Sequence, residues 1–150
     1  MATRGMSDHD AIAALIHRYA ELIDSGQLAA VAALFEQGTW RSGATGKALT
    51  QEQVRGVYDA VILYDDGTPR THHLITNLMI DVTEGADEAT ASCYFAVLQG
   101  VVPGQPIEAI VSGRYLDQFR RGEDGWYFHE RVFHADLVGD QSRHFRGGPQ

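Results

Sequence analysis

The sequence predicts an α+β protein whose N-terminal helices pack on a strongly curved antiparallel sheet. Two observations carry this. Apolar residues recur at helical spacing only before Tyr64, and four long β-prone segments follow. Three short turns rich in Gly, Pro, Asp or Glu separate those segments, and such turns join antiparallel neighbours. Helices first and a meander afterwards is an α+β order. Long strands accumulate twist, so the sheet is expected to curl, with the helices laid across its concave face.

Each element has its own signal. Ser7 caps a first helix with acids in its opening turn, and Ile12, Leu15, Ile16, Tyr19, Leu22 and Ile23 form its apolar stripe. It ends at Asp24-Ser25-Gly26. A short alanine-rich helix is expected from Gln27 to Phe35, then a short strand at Thr39-Trp40-Arg41 and a glycine loop at Gly43 to Gly46. Thr50-Gln51-Glu52-Gln53 reads as a capping box, opening a third helix through Val54, Val57, Tyr58, Val61 and Ile62. The four strand segments are Arg70–Val82, Ala89–Val102, Ile107–Arg120 and Trp126–Val138. One domain is expected over residues 7–140, with a flexible N-terminus (1–6) and a tail (141–150) that is loose from Arg146 onward.

Bulk properties exclude several classes. The 150 residues carry 12 Lys+Arg against 20 Asp+Glu, a formal charge of -8. That disfavours nucleic acid and anionic membranes as partners, since both need a basic footprint. A single cysteine, Cys93, excludes an internal disulfide and suits a reducing compartment. The first residues lack the apolar run of a signal peptide, so a cytoplasmic location is expected. There is no HExxH, CxxC, P-loop, GxGxxG or GxSxG pattern, and no metal or cofactor is implied.

The chemistry centres on His72-His73, at the entrance of the first long strand. Neighbouring strand side chains point to opposite faces, so only one imidazole can face a given interior. Alternation groups His72 with Leu74, Leu78, Ile80 and Val82, and His73 with Ile75, Asn77, Met79 and Asp81. Pattern alone therefore selects His72 as the inward residue. Asp24 closes the first helix, where the macrodipole disfavours an anion. It is either simply solvated or compensated by a donor. A helix crossing the sheet could set it against a strand histidine and orient that imidazole as a base.

Tyr19 and Asp24 on the first helix, Trp40, the segment Thr71-His72-His73-Leu74-Ile75-Thr76-Asn77-Leu78 and the closing Gly125-Trp126-Tyr127-Phe128-His129-Glu130-Arg131 resemble the SnoaL-like branch of the nuclear transport factor two superfamily. The resemblance spans about Ser7 to Val138. It implies a cone-like α+β roll, three helices closing a strongly curved antiparallel sheet over a pocket.

Dehydratase and dehydrohalogenase members of that superfamily pair a helix Asp with a strand His. By position these are Asp24 and His73, and the resemblance thus selects His73 over His72; a bulge would reconcile the two readings. It further implies Tyr19 and Arg131 as catalytic residues, and Trp40 and Tyr115 as pocket aromatics. His72 and Tyr94 complete the expected substrate-binding set. Tyr94 lies in Cys93-Tyr94-Phe95, where one dehydratase member carries a second pocket histidine.

The function implied is a cofactor-independent lyase or isomerase, dehydratase-, dehydrohalogenase- or cyclase-like, acting on a small hydrophobic cyclic molecule. The rival is a non-catalytic ligand-binding or assembly module, like the small subunit of a ring-hydroxylating dioxygenase. A homodimer or homotrimer packed through the apolar outer sheet face is expected.

Overall fold

A computed structural model describes residues 5–147. Residues 1–4 of the expected flexible N-terminus and 148–150 of the tail lie outside the described residues. Helix α1 covers Asp8–Asp24, α2 Leu28–Ala33 and α3 Gln51–Asp59. The strands are β1 (Thr39–Ser42), β2 (Ala48–Leu49), β3 (Thr71–Asp81), β4 (Glu88–Gln99), β5 (Glu108–Gly122) and β6 (Gly125–Val138).

The caps form as their sequences require. The Ser7 side chain accepts from the Asp10 N–H, and Thr50 and Gln53 make both halves of the capping box. Asp8, in the first turn of α1, accepts from Arg121 Nη2 at 2.6 Å, Trp126 Nε1 at 3.0 Å and Gly85 N at 2.8 Å. Those donors, led by the Arg121 guanidinium, hold its carboxyl far below the usual carboxylate range. The start of α1 is thereby tied to the β3–β4 turn and the β5–β6 hairpin.

The sheet corrects the expected fold class. Its order is β2-β1-β6-β5-β4-β3. The long strands pair antiparallel, but β1 joins β6 in parallel register, with Trp40 opposite Arg131. The sheet is mixed and open; it is not the strongly curved, wholly antiparallel roll expected from the sequence. Strand length sets how far twist can accumulate, but closure requires the two edges to meet. Here β2 and β3 sit at opposite ends of the order. The short β1 extends the sheet beyond β6 instead of closing it.

The core lies between the helices and one sheet face. Ile12, Ile16, Tyr19 and Ile23 of α1 meet Cys93, Phe95 and Val97 of β4, Val111, Tyr115 and Phe119 of β5, and Phe128 of β6. Bulges decide which residues join it. The β3–β4 register shifts between Thr76 and Met79, where Asn77 takes φ 52°. His73 and Ile75 face inward before the shift, Leu78 and Ile80 after it. A shift at Gln118/Phe119 likewise allows Phe128 and Arg131 of β6 both to be buried. The opposite face leaves Leu74, Met79, Tyr94 and Leu116 exposed.

Candidate active site

Asp24 is the last residue of α1, and no basic residue occupies that turn. Gly26 lets the chain turn there, with φ 77° and a close approach to the Gly67 carbonyl that any Cβ would block. This docking brings the end of α1 to the entrance of β3. Three donors from β3 meet the carboxylate: Thr71 Oγ1 at 2.8 Å, the His73 backbone N–H at 2.7 Å and His73 Nδ1 at 2.6 Å. They offset the unfavourable helix dipole. Burial opposes ionisation, but the His73 ring, its charge when protonated, its N–H and the Thr71 hydroxyl outweigh it. The Asp24 carboxyl is held below the ordinary carboxylate range.

An ionised Asp24 accepts, so Nδ1 of His73 carries the proton and Nε2 is left as the free lone pair. The pair is largely buried, with side chains 7% (His73) and 18% (Asp24) exposed. His73 lines an apolar cavity of about 360 Å³ between the sheet, α1, α3 and the C-terminal segment. Asp24 stands behind the ring and does not reach that cavity.

The cavity wall is aromatic. Tyr115 stacks on Phe95 at 4.4 Å between centroids, Phe95 on Phe133 at 5.4 Å, and Phe133 on Trp40 at 5.4 Å. Tyr19 stands edge-on to Tyr115. Its hydroxyl lies 2.5 Å from that of Tyr58, which also lines the cavity. Burial, then the neighbouring Tyr19, pushes the Tyr58 hydroxyl well above its ordinary pKa, so it stays protonated as a donor.

Four of the eight expected residues, His73, Tyr19, Trp40 and Tyr115, thus share the cavity wall, with Asp24 directly behind His73. The other three do not. His72 is exposed and faces a separate surface groove with Arg70 and Leu98. Tyr94 is 53% exposed on the outer face, because alternation along β4 sends its neighbours Cys93 and Phe95 inward.

Arg131 is fully buried but is absent from the cavity wall. It makes two 2.7 Å hydrogen bonds to Asp117, and its guanidinium lies 3.8 Å from the Tyr115 ring centroid and 4.3 Å from that of Tyr19. Burial pulls its pKa down, but the Asp117 carboxylate pulls harder, and the net is upward. Arg131 supports the aromatic wall from outside.

The sequence reading missed Tyr58 as a site residue and the whole C-terminal contribution. Residues 141–147 fold back along the end of α3. Ile62 N donates to the His144 carbonyl, Arg146 N donates to that of Ala60, and Val61 bridges Phe145. This seats Gln141, His144 and Phe145 on the cavity wall. No periodic pattern marks seven residues held by backbone bonds to a distant helix end. The apolar Phe145 beside His144 was the only available signal.

His144 is 4% exposed. Burial, then the charge of a protonated His73, pushes its pKa from 6.5 down to about 4, with Asp24 pulling weakly upward. The folded chain therefore binds fewer protons at this ring than the unfolded chain does. Its contribution to stability is fully present above about pH 6.5 and is lost as pH falls toward 4, on the order of 3 kcal/mol. The Asp24 contribution is lost in a lower window, as pH falls below 3.8. Urea midpoints should fall from pH 7 to 4.5, and fall less in His144→Phe. An equal slope in both proteins would reject this.

Among the described residues, no group of three or more His, Cys, Asp or Glu side chains could hold a metal ion. Among the same residues, no helix is long and apolar enough to cross a membrane.

Comparison with solved structures gives the same architecture. An NTF2-like protein with a cystatin-like fold from Novosphingobium aromaticivorans is 24% identical, with TM-score 0.66 over 83% of this chain and 79% of that one. ActVI-ORFA from Streptomyces coelicolor is 20% identical, with TM-score 0.70 over 87% and 98%. A protein provisionally described as a scytalone dehydratase, from Novosphingobium aromaticivorans, is 18% identical, with TM-score 0.64 over 87% and 85%. Identities this low speak to the fold alone. No curated protein matches the chain in sequence. The SnoaL-like domain model matches residues 4–132, which takes in both helix Asp24 and strand His73, and the chain belongs to that SnoaL-like family.

Proposed function

We propose that this protein is a cofactor-independent lyase or isomerase acting on a small, largely apolar cyclic molecule. One observation carries the reading. His73, its Nδ1 fixed by a carboxylate that three groups of β3 meet, lines an apolar cavity of about 360 Å³. That volume suits one or two fused rings. Nε2 of His73 takes a proton from carbon, and Asp24 stabilises the imidazolium that forms. The Tyr19–Tyr58 hydroxyl pair meets negative charge developing on the substrate or its leaving group. Arg131 has no contact with the reacting atoms in this scheme; it holds Tyr19 and Tyr115 in place.

The assembly-module reading needs a filled pocket. The cavity reaching His73 favours a ligand site instead, and fold alone would not choose.

A panel of cyclic β-hydroxy ketones, alkyl chlorides and enones, followed by proton NMR in D₂O, tests the proposal. At least one class should eliminate, isomerise or exchange a C–H proton. Asp24→Asn should slow that reaction by on the order of 10²-fold. The amide can donate to Nδ1, which would move the ring proton to Nε2 and remove the base. If Asp24→Asn reacts as fast as the parent protein on every compound, the dyad mechanism is wrong.

A further inference from the structure

Among the described residues, two that are not glycine take a positive φ: Asn77 at 52° and Arg70 at 55°. Asparagine tolerates that conformation. For arginine it is strained, because Cβ crowds the following carbonyl oxygen. A residue held there persists only where its surroundings over-determine it, and such residues gather at functional sites. Arg70 directly precedes the stretch holding Thr71 and His73, which carry the three donors to Asp24. The direction in which the chain leaves Arg70 therefore sets where those donors fall.

Arg70 is held through both its backbone and its side chain. Its carbonyl accepts from Gly100 N at 3.1 Å, and the preceding Pro69 carbonyl accepts from the buried Gln99 Nε2 at 3.1 Å. Its backbone N–H donates to Thr68 Oγ1 at 3.2 Å. The guanidinium reaches further. Nη1 donates to the Val101 carbonyl, Nε to Asp66 Oδ2 at 3.3 Å and Nη2 to Asp65, and its centre lies 4.9 Å from the Tyr64 ring centroid. The fork thus joins the turn at 64–68 to the β4–β5 turn, the two loops that flank the entrance of β3. A glycine would take this φ without strain, but it could not make that span.

We propose that Arg70 is a positioning residue for the Asp24–His73 pair: its left-handed backbone turns the chain into β3, and its guanidinium locks that turn so that Thr71 and His73 meet the carboxylate. This deepens the proposed reaction and rests on that pair doing the chemistry. Arg70 is absent from the cavity wall and touches no substrate there. Its effect reaches the reaction through the bond between Asp24 and His73 Nδ1. A loosened turn lets that bond lengthen, and the tautomer and orientation of the ring are then no longer fixed.

Proton NMR of the full-length, substrate-free protein reads that bond. The proton between His73 Nδ1 and Asp24 Oδ1, atoms 2.6 Å apart, should resonate well downfield, and vanish in Asp24→Asn and His73→Ala. In Arg70→Gly, which relieves the backbone and removes the fork, it should move upfield and exchange with water at least about tenfold faster. Arg70→Lys, which keeps the charge without the fork, should fall between the two. Arg143→Ala breaks a neighbouring ion pair with Glu108 and should leave the resonance in place. With any compound that reacts, Arg70→Gly should lower kcat several-fold and leave KM near the parental value. If Arg70→Gly keeps the parental resonance and exchange rate, or Arg143→Ala moves them as far, Arg70 is a surface staple and the inference fails while the pair stands. Should Arg70→Gly not fold, Arg70→Lys decides, and a parental resonance and exchange rate in it overturn the inference. A parent protein without the downfield proton overturns it too. If no compound reacts with the parent protein, the proposed reaction fails, and the resonance still decides whether Arg70 positions the pair.

Discussion

His73→Ala should lower turnover of any reacting compound by about 10²- to 10⁴-fold, the range expected for removal of a general base. The loss should lie in kcat, because the aromatic wall that binds the ring system is untouched. The fold should survive. The His73 backbone N–H and the Thr71 hydroxyl still donate to Asp24, so the carboxylate keeps two of its three partners. The lost bond to a charged group should cost about 1.5–3 kcal/mol. Added imidazole should recover part of the rate, entering the space the side chain vacates. His72→Ala is the control: its ring is exposed on the other face, and both rate and stability should stay near parental values. Retention of more than a tenth of the parental rate by His73→Ala would remove this histidine from the chemistry.

That pair of histidines also shows how sequence legibility works in this chain. Alternation over Arg70–Val82 favours His72, because it averages across a strand whose phase changes midway. The shift falls at Thr76–Asn77, with Asn77 in the left-handed region. Up to Ile75 the odd positions face inward; from Leu78 the even ones do. Asparagine tolerates that conformation, yet one asparagine in a strand is too common a signal to place a bulge. In the structure His73 lines the cavity and His72 a separate surface groove.

Local signals elsewhere were read correctly where they were strong. The Ser7 cap, the Thr50 capping box and the three turns place three helices and four long strands within a few residues. What remained illegible is non-local. The parallel pairing of Trp40 with Arg131 depends on a four-residue strand meeting one about ninety positions away. The open sheet follows from that pairing, and strand length pointed to a curl instead. His144 reaches the cavity through backbone bonds to Ala60 and Ile62, which no side-chain pattern encodes. Arg131 was expected as a catalytic residue; its partner Asp117 lies across the β5–β6 hairpin, at a register position fixed only once the strands pair.

Asp117→Ala should be among the most destabilising single changes in the protein, at about 3–5 kcal/mol. Both side chains of the Arg131–Asp117 pair are 0% exposed. Removing the carboxylate leaves a guanidinium that cannot reach water, and an arginine, whose intrinsic pKa is above about 12, does not readily discharge by losing a proton. Among the described residues, the partners that remain are the faces of Tyr19, Tyr115 and Phe128. Arg131 Nη1 already lacks a hydrogen-bond acceptor, so the site has no slack to absorb a second loss. Arg131→Met should cost a similar amount by stranding the carboxylate. The double variant Arg131→Met/Asp117→Leu should cost much less than the sum, because no buried charge is then left without its partner. Urea unfolding of the four proteins at one pH closes the cycle. A double variant as unstable as the sum of the singles would mean that the pair is not coupled. The aromatic wall would then have to owe its position to packing alone, and Arg131 would be a space-filling residue beneath Tyr19 and Tyr115.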